Sequence, residues 1–354
     1  MTESAPQLPT VTTAGTAAIV AAGQAANHFA GASVFAEYNN ETAGNTQTTR
    51  RAALQQWAAY LAETTGCVDC PSADDLANDP EAWHGTTWGL VKGFKMWLLK
   101  AGYSVGTVNN RLTAVRVYAA RAAQAGVLSE TEAHMIATVK GIGRKTGVNV
   151  DNNRPTQRRE TSKKAAHVAI TIDQAHALMA QPKDTAQGRR DAVMMTLLLD
   201  HGLRVGELAL VEGAQIDLTA GELRFYRPKS KMYTTLELTK RARRALSAYL
   251  EHDAPAMGPL LRAIRKDGVL GEPGLSERAI QARVSTLGAA AGVKGLSPHD
   301  CRHYAATLYA RKGVGELRLM EMFGWNSSVM ARRYVEESRI ANEGTAHLVD
   351  GGDD

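Results

Sequence analysis

AVMMTLLLDHGLRVGELALV, residues 192–211, is the stretch on which the fold turns. Ala192–Leu199 is apolar on nearly every side, which predicts a helix buried all round rather than one lying on a surface. It falls well short of the roughly 18 apolar residues that a membrane helix needs. Gly202 ends it, since glycine readily takes the backbone that closes a helix. Arg204 and, one helical turn further on, Glu207 follow directly. Downstream, Glu222–Tyr226 and Tyr233–Leu238 are rich in β-formers and flank Pro228-Lys229-Ser230-Lys231, which predicts an antiparallel hairpin. Helical spacing returns over Lys240–His252, Ser276–Ala291, His299–Lys312, Gly315–Phe323 and about Ser328–Glu337. Upstream, Thr171 and Gln174 have the spacing of a capping box. Residues 168–340 are therefore expected to form a mixed α/β domain, mainly helical with a small antiparallel sheet.

Residues 141–167 are polar and aperiodic, with Pro155 among them, and predict an interdomain linker. Around it Lys140, Arg144, Lys145, Arg154, Arg158, Arg159, Lys163 and Lys164 face only Asp151 and Glu160. That excess is larger than the net charge of +5 carried by all 354 residues. Such a run suits a solvated tether as well as a strip laid along DNA phosphates. Before the linker, residues 46–140 predict a small all-helical domain. Leu54, Trp57, Ala58 and Leu61 share one face, and so do Trp88, Val91, Phe94, Trp97 and Leu98. Val108, Leu112, Val115 and Tyr118 mark a third helix, and Glu130–Val139 a shorter fourth. The aromatic stripe is read as core, not as a platform for stacking bases. Residues 1–45 lack periodic hydrophobicity and are expected to be mostly flexible, with one short helix. Residues 341–354 form a tail.

Met1–Ala30 has no Lys or Arg ahead of an apolar run, so no secretory signal is expected. Cys67, Cys70 and Cys301 are too few for a disulfide framework, and a cytoplasmic location follows. Cys67 and Cys70 have half the spacing of a zinc site, with His84 the nearest further ligand; reduced structural thiols are the expectation. Cys301 is expected to face inward.

Three clusters carry chemistry. His299 and Arg302 project from one helical face, Arg204 and Glu207 follow the Gly-Leu turn, and Lys229 and Lys231 sit on the hairpin tip. Two arginines, a lysine and a histidine suit a phosphodiester, because guanidinium forks match phosphate oxygens. Taken singly, each is as well explained as a surface or ion-paired residue.

Their order adds a resemblance. HGLRVGELALV (201–211), RPKSKMYTTLEL (227–238), LSPHDCRHYAA (296–306) and FGWNSSVMARRY (323–334) resemble the tyrosine recombinase, or phage integrase, family segment by segment over about residues 170–340. The family pattern is an Arg after a Gly-Leu turn, a Lys on a hairpin, a His-x-x-Arg helix, a Gly-His or Gly-Trp, and a Tyr nine residues later. Trp325 and Tyr334 have that last spacing. More weakly, residues 46–140 are similar to the family's SAM-like core-binding domain.

The resemblance implies a site-specific recombinase working through a 3′-phosphotyrosine and a Holliday junction, without metal or other cofactor. Tyr334 would be the nucleophile. Arg204 and Arg302 would hold the non-bridging oxygens, and Lys229 would protonate the leaving 5′-oxygen. His299 would help deprotonate Tyr334 or donate to the phosphate, and Glu207 would orient Arg204. Trp325 stands where many members have histidine; its indole N–H donates a hydrogen bond but shuttles no proton. Lys140, Arg144, Lys145, Arg158, Arg159, Lys163 and Lys164 are the expected DNA contacts. The implied partners are double-stranded recombination sites, three further copies of the chain in a tetramer, and accessory DNA-bending proteins, with no membrane. The hairpin carries Tyr233-Thr234 where the family has a basic residue, and Glu237 where it often has proline, so Lys231 stays open beside Lys229. A type IB topoisomerase would share the set, whereas a non-catalytic DNA-binding or architectural relative would have no use for the tyrosine.

Overall fold

The computed structural model describes residues 13–154, 167–253, 257–265 and 267–338. The chain divides into two compact units, residues 1–163 and 164–354.

The first unit is helical: Thr13–Glu41, Gly44–Thr65, Ala73–Asn78, Trp88–Lys100, Val105–Gln124, Glu130–Thr138 and Arg144–Asn152, with a 3-10 turn at Pro80–Trp83. Trp57, Trp83 and Phe94 are fully buried at its centre. Trp57 stacks on Trp83 with ring centres 6.3 Å apart and meets Phe94 edge-on at 5.1 Å. The stripe is core, apart from exposed Trp88 at a helix start.

Three expectations for this unit are revised. Residues 1–45 were expected to be mostly flexible, yet Thr13–Glu41 is a helix of 29 residues. Its early turns are exposed, and its last turns dock Phe35 and Tyr38 on Tyr118. Alanine confers helix propensity without the periodic apolar face that would betray a helix in sequence. The linker is also shorter than expected, because Arg144–Asn152 is helical. Asp151 Oδ1 accepts from the Val105 amide at 2.9 Å and ties that helix to the first unit. Finally, Cys67 and Cys70 are joined as a disulfide, their Cα atoms 5.5 Å apart and so within bonding reach. Cys301 is free and buried. Arg158, Arg159, Lys163 and Lys164 lie outside the described residues, as do residues 339–354 with the expected tail.

In the second unit, helix Ala186–Leu199 is the axis, and every side chain from Val193 to Leu199 is buried. Helices Ile172–Met179, Lys240–His252 and Pro298–Arg311 pack against it. Thr171 and Gln174 form the predicted capping box, at 3.2 and 3.0 Å. Strands β1 (Ile216–Asp217), β2 (Glu222–Arg227) and β3 (Met232–Glu237) make an antiparallel sheet in that order. Leu223, Phe225 and Arg227 take the inward positions of β2. Lys231 closes the connecting loop in the left-handed region, φ 52°. A second hairpin, β4 (Arg262–Ile264) with β5 (Leu270–Gly274), was not predicted. Its Gly-Glu-Pro-Gly run reads as a turn in sequence. Helices Glu277–Ala290, Glu316–Phe323 and Ser328–Ser338 complete the unit, the last two packed with Pro298–Arg311 in a smaller apolar cluster that includes Phe323 and Tyr334. Among the described residues no helix is long and apolar enough to cross a membrane.

Candidate active site

The site is assembled on the turn that follows helix Ala186–Leu199. Gly202 adopts φ 62°, and a Cβ there would sit 2.4 Å from the Phe323 ring, so both backbone and space require glycine. The turn delivers Arg204 in extended backbone at the start of the short helix Val205–Ala209. Glu207, 3% exposed, reaches back: its Oε2 accepts from the Arg204 amide at 2.9 Å and its Oε1 from Arg204 Nη1 at 2.7 Å. The second nitrogen, Arg204 Nη2, donates to the Gly324 carbonyl at 3.0 Å.

Arg302 comes from helix Pro298–Arg311 and is buried. Its Nη1 donates to the Gly202 carbonyl at 2.6 Å, and its Nη2 donates to the Phe323 carbonyl. Nη1 also lies 4.0 Å from Glu207 Oε2. A third guanidinium, Arg227, donates to Glu207 Oε1 at 3.1 Å. One buried carboxylate thus faces three guanidinium groups, which leaves a surplus of positive charge. Burial lowers the pKa of Arg302, with Arg204 adding to the effect and Glu207 opposing it. Burial likewise lowers that of Arg227 against the pull of Glu207. An anion with several oxygens, placed beside Arg204 and Arg302, would relieve this crowding.

The aromatic side of the site is a stack. Tyr334 lies parallel on Trp325, ring centres 5.2 Å apart and planes 2° off, and Trp325 stacks in turn on Phe323 at 4.9 Å. The Arg302 guanidinium carbon is 5.7 Å from the centre of the Trp325 ring. His303 meets Tyr334 nearly edge-on at 5.1 Å, and Tyr334 is 6% exposed. Gly324 joins the two sides at φ 56°, with Arg227 Nη1 and Cδ only 2.8 and 2.9 Å from where a Cβ would stand.

Arg204, Glu207, Arg302, Trp325 and Tyr334 are therefore brought together as the sequence suggested. His299 is exposed on the same helix as Arg302, its ring centre 5.0 Å from that of His167. His167 also lies 4.0 Å from the ring of His303. It is held there because the next amide, Val168, donates to buried Asp300 at 3.0 Å. Lys229 and Lys231 are both exposed on the β2–β3 loop, and neither hydrogen-bonds to a described residue. Lys140 and Lys145 are exposed in the first unit.

Sequence reasoning missed Arg227, His167 and His303. His303 had a signal, lying four residues after His299 on the same helical face. Arg227 had one in the strand alternation, which turns it inward. His167 had none. Among the described residues no three His, Cys, Asp or Glu converge as metal ligands, and Cys67 and Cys70 bond to each other instead.

The phage integrase family matches residues 169–339, the span that holds every group described above from Arg204 to Tyr334. Tyrosine recombinase XerC of Pelobacter propionicus is 27% identical over 290 residues, 80% of this chain and 82% of that protein. Tyrosine recombinase XerD of Xanthomonas axonopodis pv. citri is 32% identical over 171 residues, 46% of this chain and 55% of that one. Two solved structures share the fold. One is XerH bound to a palindromic difH substrate, with TM-score 0.56, 15% identity and coverage of 75% of this chain and 73% of that one. The other is the Tn1549 transposon integrase in complex with transposon right end DNA, with TM-score 0.55, 12% identity and coverage of 91% and 98%. The arginines gathered on Glu207, the tyrosine stacked beside them and these likenesses agree: the chain belongs to the tyrosine recombinases of the phage integrase family and is a site-specific DNA recombinase.

Proposed function

We propose that this recombinase cuts and rejoins paired DNA sites through a 3′-phosphotyrosine on Tyr334. The observation that supports it is the meeting of Arg204, Arg302 and the Trp325–Tyr334 stack around one buried carboxylate, Glu207. The phenol of Tyr334 gives up its proton, with His299 the acceptor that the family resemblance implies, and its oxygen attacks phosphorus. Arg204 and Arg302 neutralise the charge that builds on the non-bridging oxygens. The bond to the 5′-oxygen breaks, and that oxygen takes a proton from Lys229 to leave as a hydroxyl. The phosphodiester's energy is kept in the phosphotyrosine, so no nucleotide is consumed. A 5′-hydroxyl from the partner site then attacks the phosphotyrosine and frees Tyr334, and two such rounds pass through a Holliday junction.

Because Tyr334 is largely buried on Trp325, helix Ser328–Ser338 shifts before attack. Two sites with two cleaved strands each call for four protomers, so the acting form is a homotetramer in the cytoplasm, on nucleoid DNA, with DNA-bending proteins where a site needs them. Lys140, Arg144, Lys145, Arg158, Arg159, Lys163 and Lys164 supply positive charge for the DNA phosphates.

A nicked suicide substrate tests the nucleophile. Wild-type protein becomes covalently trapped on the 3′ end, with or without EDTA, whereas Tyr334→Phe binds the same DNA and traps none. Trapping by the Phe variant sinks the assignment of Tyr334, and cleavage strictly dependent on Mg²⁺ sinks the mechanism. Rescue of Lys231→Ala but not Lys229→Ala by a sulfur leaving group would move the proton donor by two residues.

A further inference from the structure

Arg227 occupies the last inward position of β2, directly before the loop that carries Lys229, and is 1% exposed. It therefore cannot itself touch DNA. Inward positions on a strand ordinarily take apolar side chains, as Leu223 and Phe225 do here. A buried guanidinium is tolerated only where its donors are met. Here Nε donates across the hairpin to Thr234 Oγ1 at 2.8 Å, Nη1 to Glu207 at 3.1 Å and Nη2 to the Met322 carbonyl at 2.6 Å. The guanidinium also lies over the Phe225 ring, 4.7 Å from its centre. Its three bonds run to three separate segments, which fixes its orientation.

The free end of the hairpin has little else to hold it. Pro228, Lys229, Lys231, Met232 and Tyr233 are exposed, and Thr234 is half-buried. The next inward apolar side chain on β3 is Leu236.

We infer that Arg227 is a positioning residue for strand cleavage: it locks the hairpin that bears Lys229 onto the Glu207 floor, so that the proton donor and Arg204 keep a fixed spacing. This rests on Lys229 as the donor, and the experiment separates the two claims. Single-turnover cleavage is measured on a nicked substrate whose bridging 5′ atom is oxygen or sulfur, since a thiolate leaves without an acid. Arg227→Lys keeps a charge beside Glu207 but loses the fork. Thr234→Val removes one acceptor with little change of shape and leaves Glu207 untouched.

On oxygen, Arg227→Lys is expected to slow cleavage about 10²-fold, the effect of misplacing a reacting group by an ångström. Thr234→Val is expected to slow it roughly fivefold, the worth of one hydrogen bond. On sulfur, Thr234→Val returns to the wild-type rate and Arg227→Lys recovers most of its loss, while Arg302→Ala does not recover. Equal losses on both substrates, or wild-type rates for both variants on oxygen, would overturn the inference. If Lys229→Ala is itself not rescued, Lys229 is not the donor, and the inference falls with it. Should Arg227→Lys fail to show a cooperative thermal melt, Thr234→Val decides alone.

Discussion

Arg302 gives both terminal nitrogens to backbone carbonyls, those of Gly202 and Phe323, and is buried with its charge intact. Lys229, in the same unit, stands exposed on a four-residue loop and bonds to none of the described residues. The contrast extends to their surroundings. Around Glu207 the protein has fixed every guanidinium by at least two contacts, and Tyr334 lies against the rings of Trp325 and His303. The division follows the chemistry. Charge that builds on phosphate oxygens is best met by groups already oriented, because any reorganisation at the moment of reaction raises the barrier. On the proposed mechanism Tyr334 has to approach and withdraw as strands exchange, whereas Lys229 projects from a loop whose base Arg227 anchors.

The firmest test of that division is Glu207→Ala, which leaves Arg204 and Arg227 without their shared carboxylate. Removing one partner of a buried ionic cluster is expected to cost about 3–5 kcal/mol, read as a large fall in the urea midpoint, with cleavage abolished. A smaller loss than that of Trp325→Ala would invert the comparison. Trp325→Ala removes the plate on which Tyr334 lies; an aromatic pair contributes about 0.5–1.5 kcal/mol beyond its area. Amide exchange should quicken over 328–338 and stay unchanged around Glu207, with cleavage lowered about tenfold, the equivalent of roughly 1.4 kcal/mol.

The mildest probe is pH. His201, just before the Gly202 turn, is pushed by burial from 6.5 down to about 4. Its folded form therefore binds fewer protons than the unfolded chain between those values. Stability contributed by neutral His201 is whole above pH 6.5 and is lost as pH falls toward 4, on the order of 2 kcal/mol. Urea titrations at pH 7 and 4.5 should show that fall, and His201→Gln should flatten it. If the fall persists in the variant, His201 is not its source.

How much of this could be read from sequence depended on whether the signal was local. Helix Ala186–Leu199, the β2–β3 hairpin and the His299–Arg302 helix announce themselves through runs, turn residues and spacing; the latter two sit within two residues of their expected places, and the first starts six residues before its apolar run. Thr13–Glu41 did not, because an alanine-rich helix that docks by only its last turns has no apolar period. Arg227 was passed over for a different reason. A charged residue in a strand reads as solvent-facing until its partners, Glu207 and Met322, are brought beside it by folding. His167 depends on the contact between Val168 and Asp300, far apart in the chain. The arginines and the tyrosine were legible as a list, but the convergence of Arg204, Arg227 and Arg302 on Glu207 was not.

Gly324 gives this arrangement a consequence for how such a protein can vary. Its carbonyl serves Arg204, its backbone is left-handed, and the room for its missing side chain is filled by Arg227. A library randomised at residue 324 alone should return glycine almost without exception. Once Arg227 is replaced by a shorter residue, the collision disappears and only the backbone preference remains, so asparagine becomes admissible. The hairpin and the turn before Trp325, 97 positions apart in sequence, thus share one mutational history, and neither can be redesigned without the other.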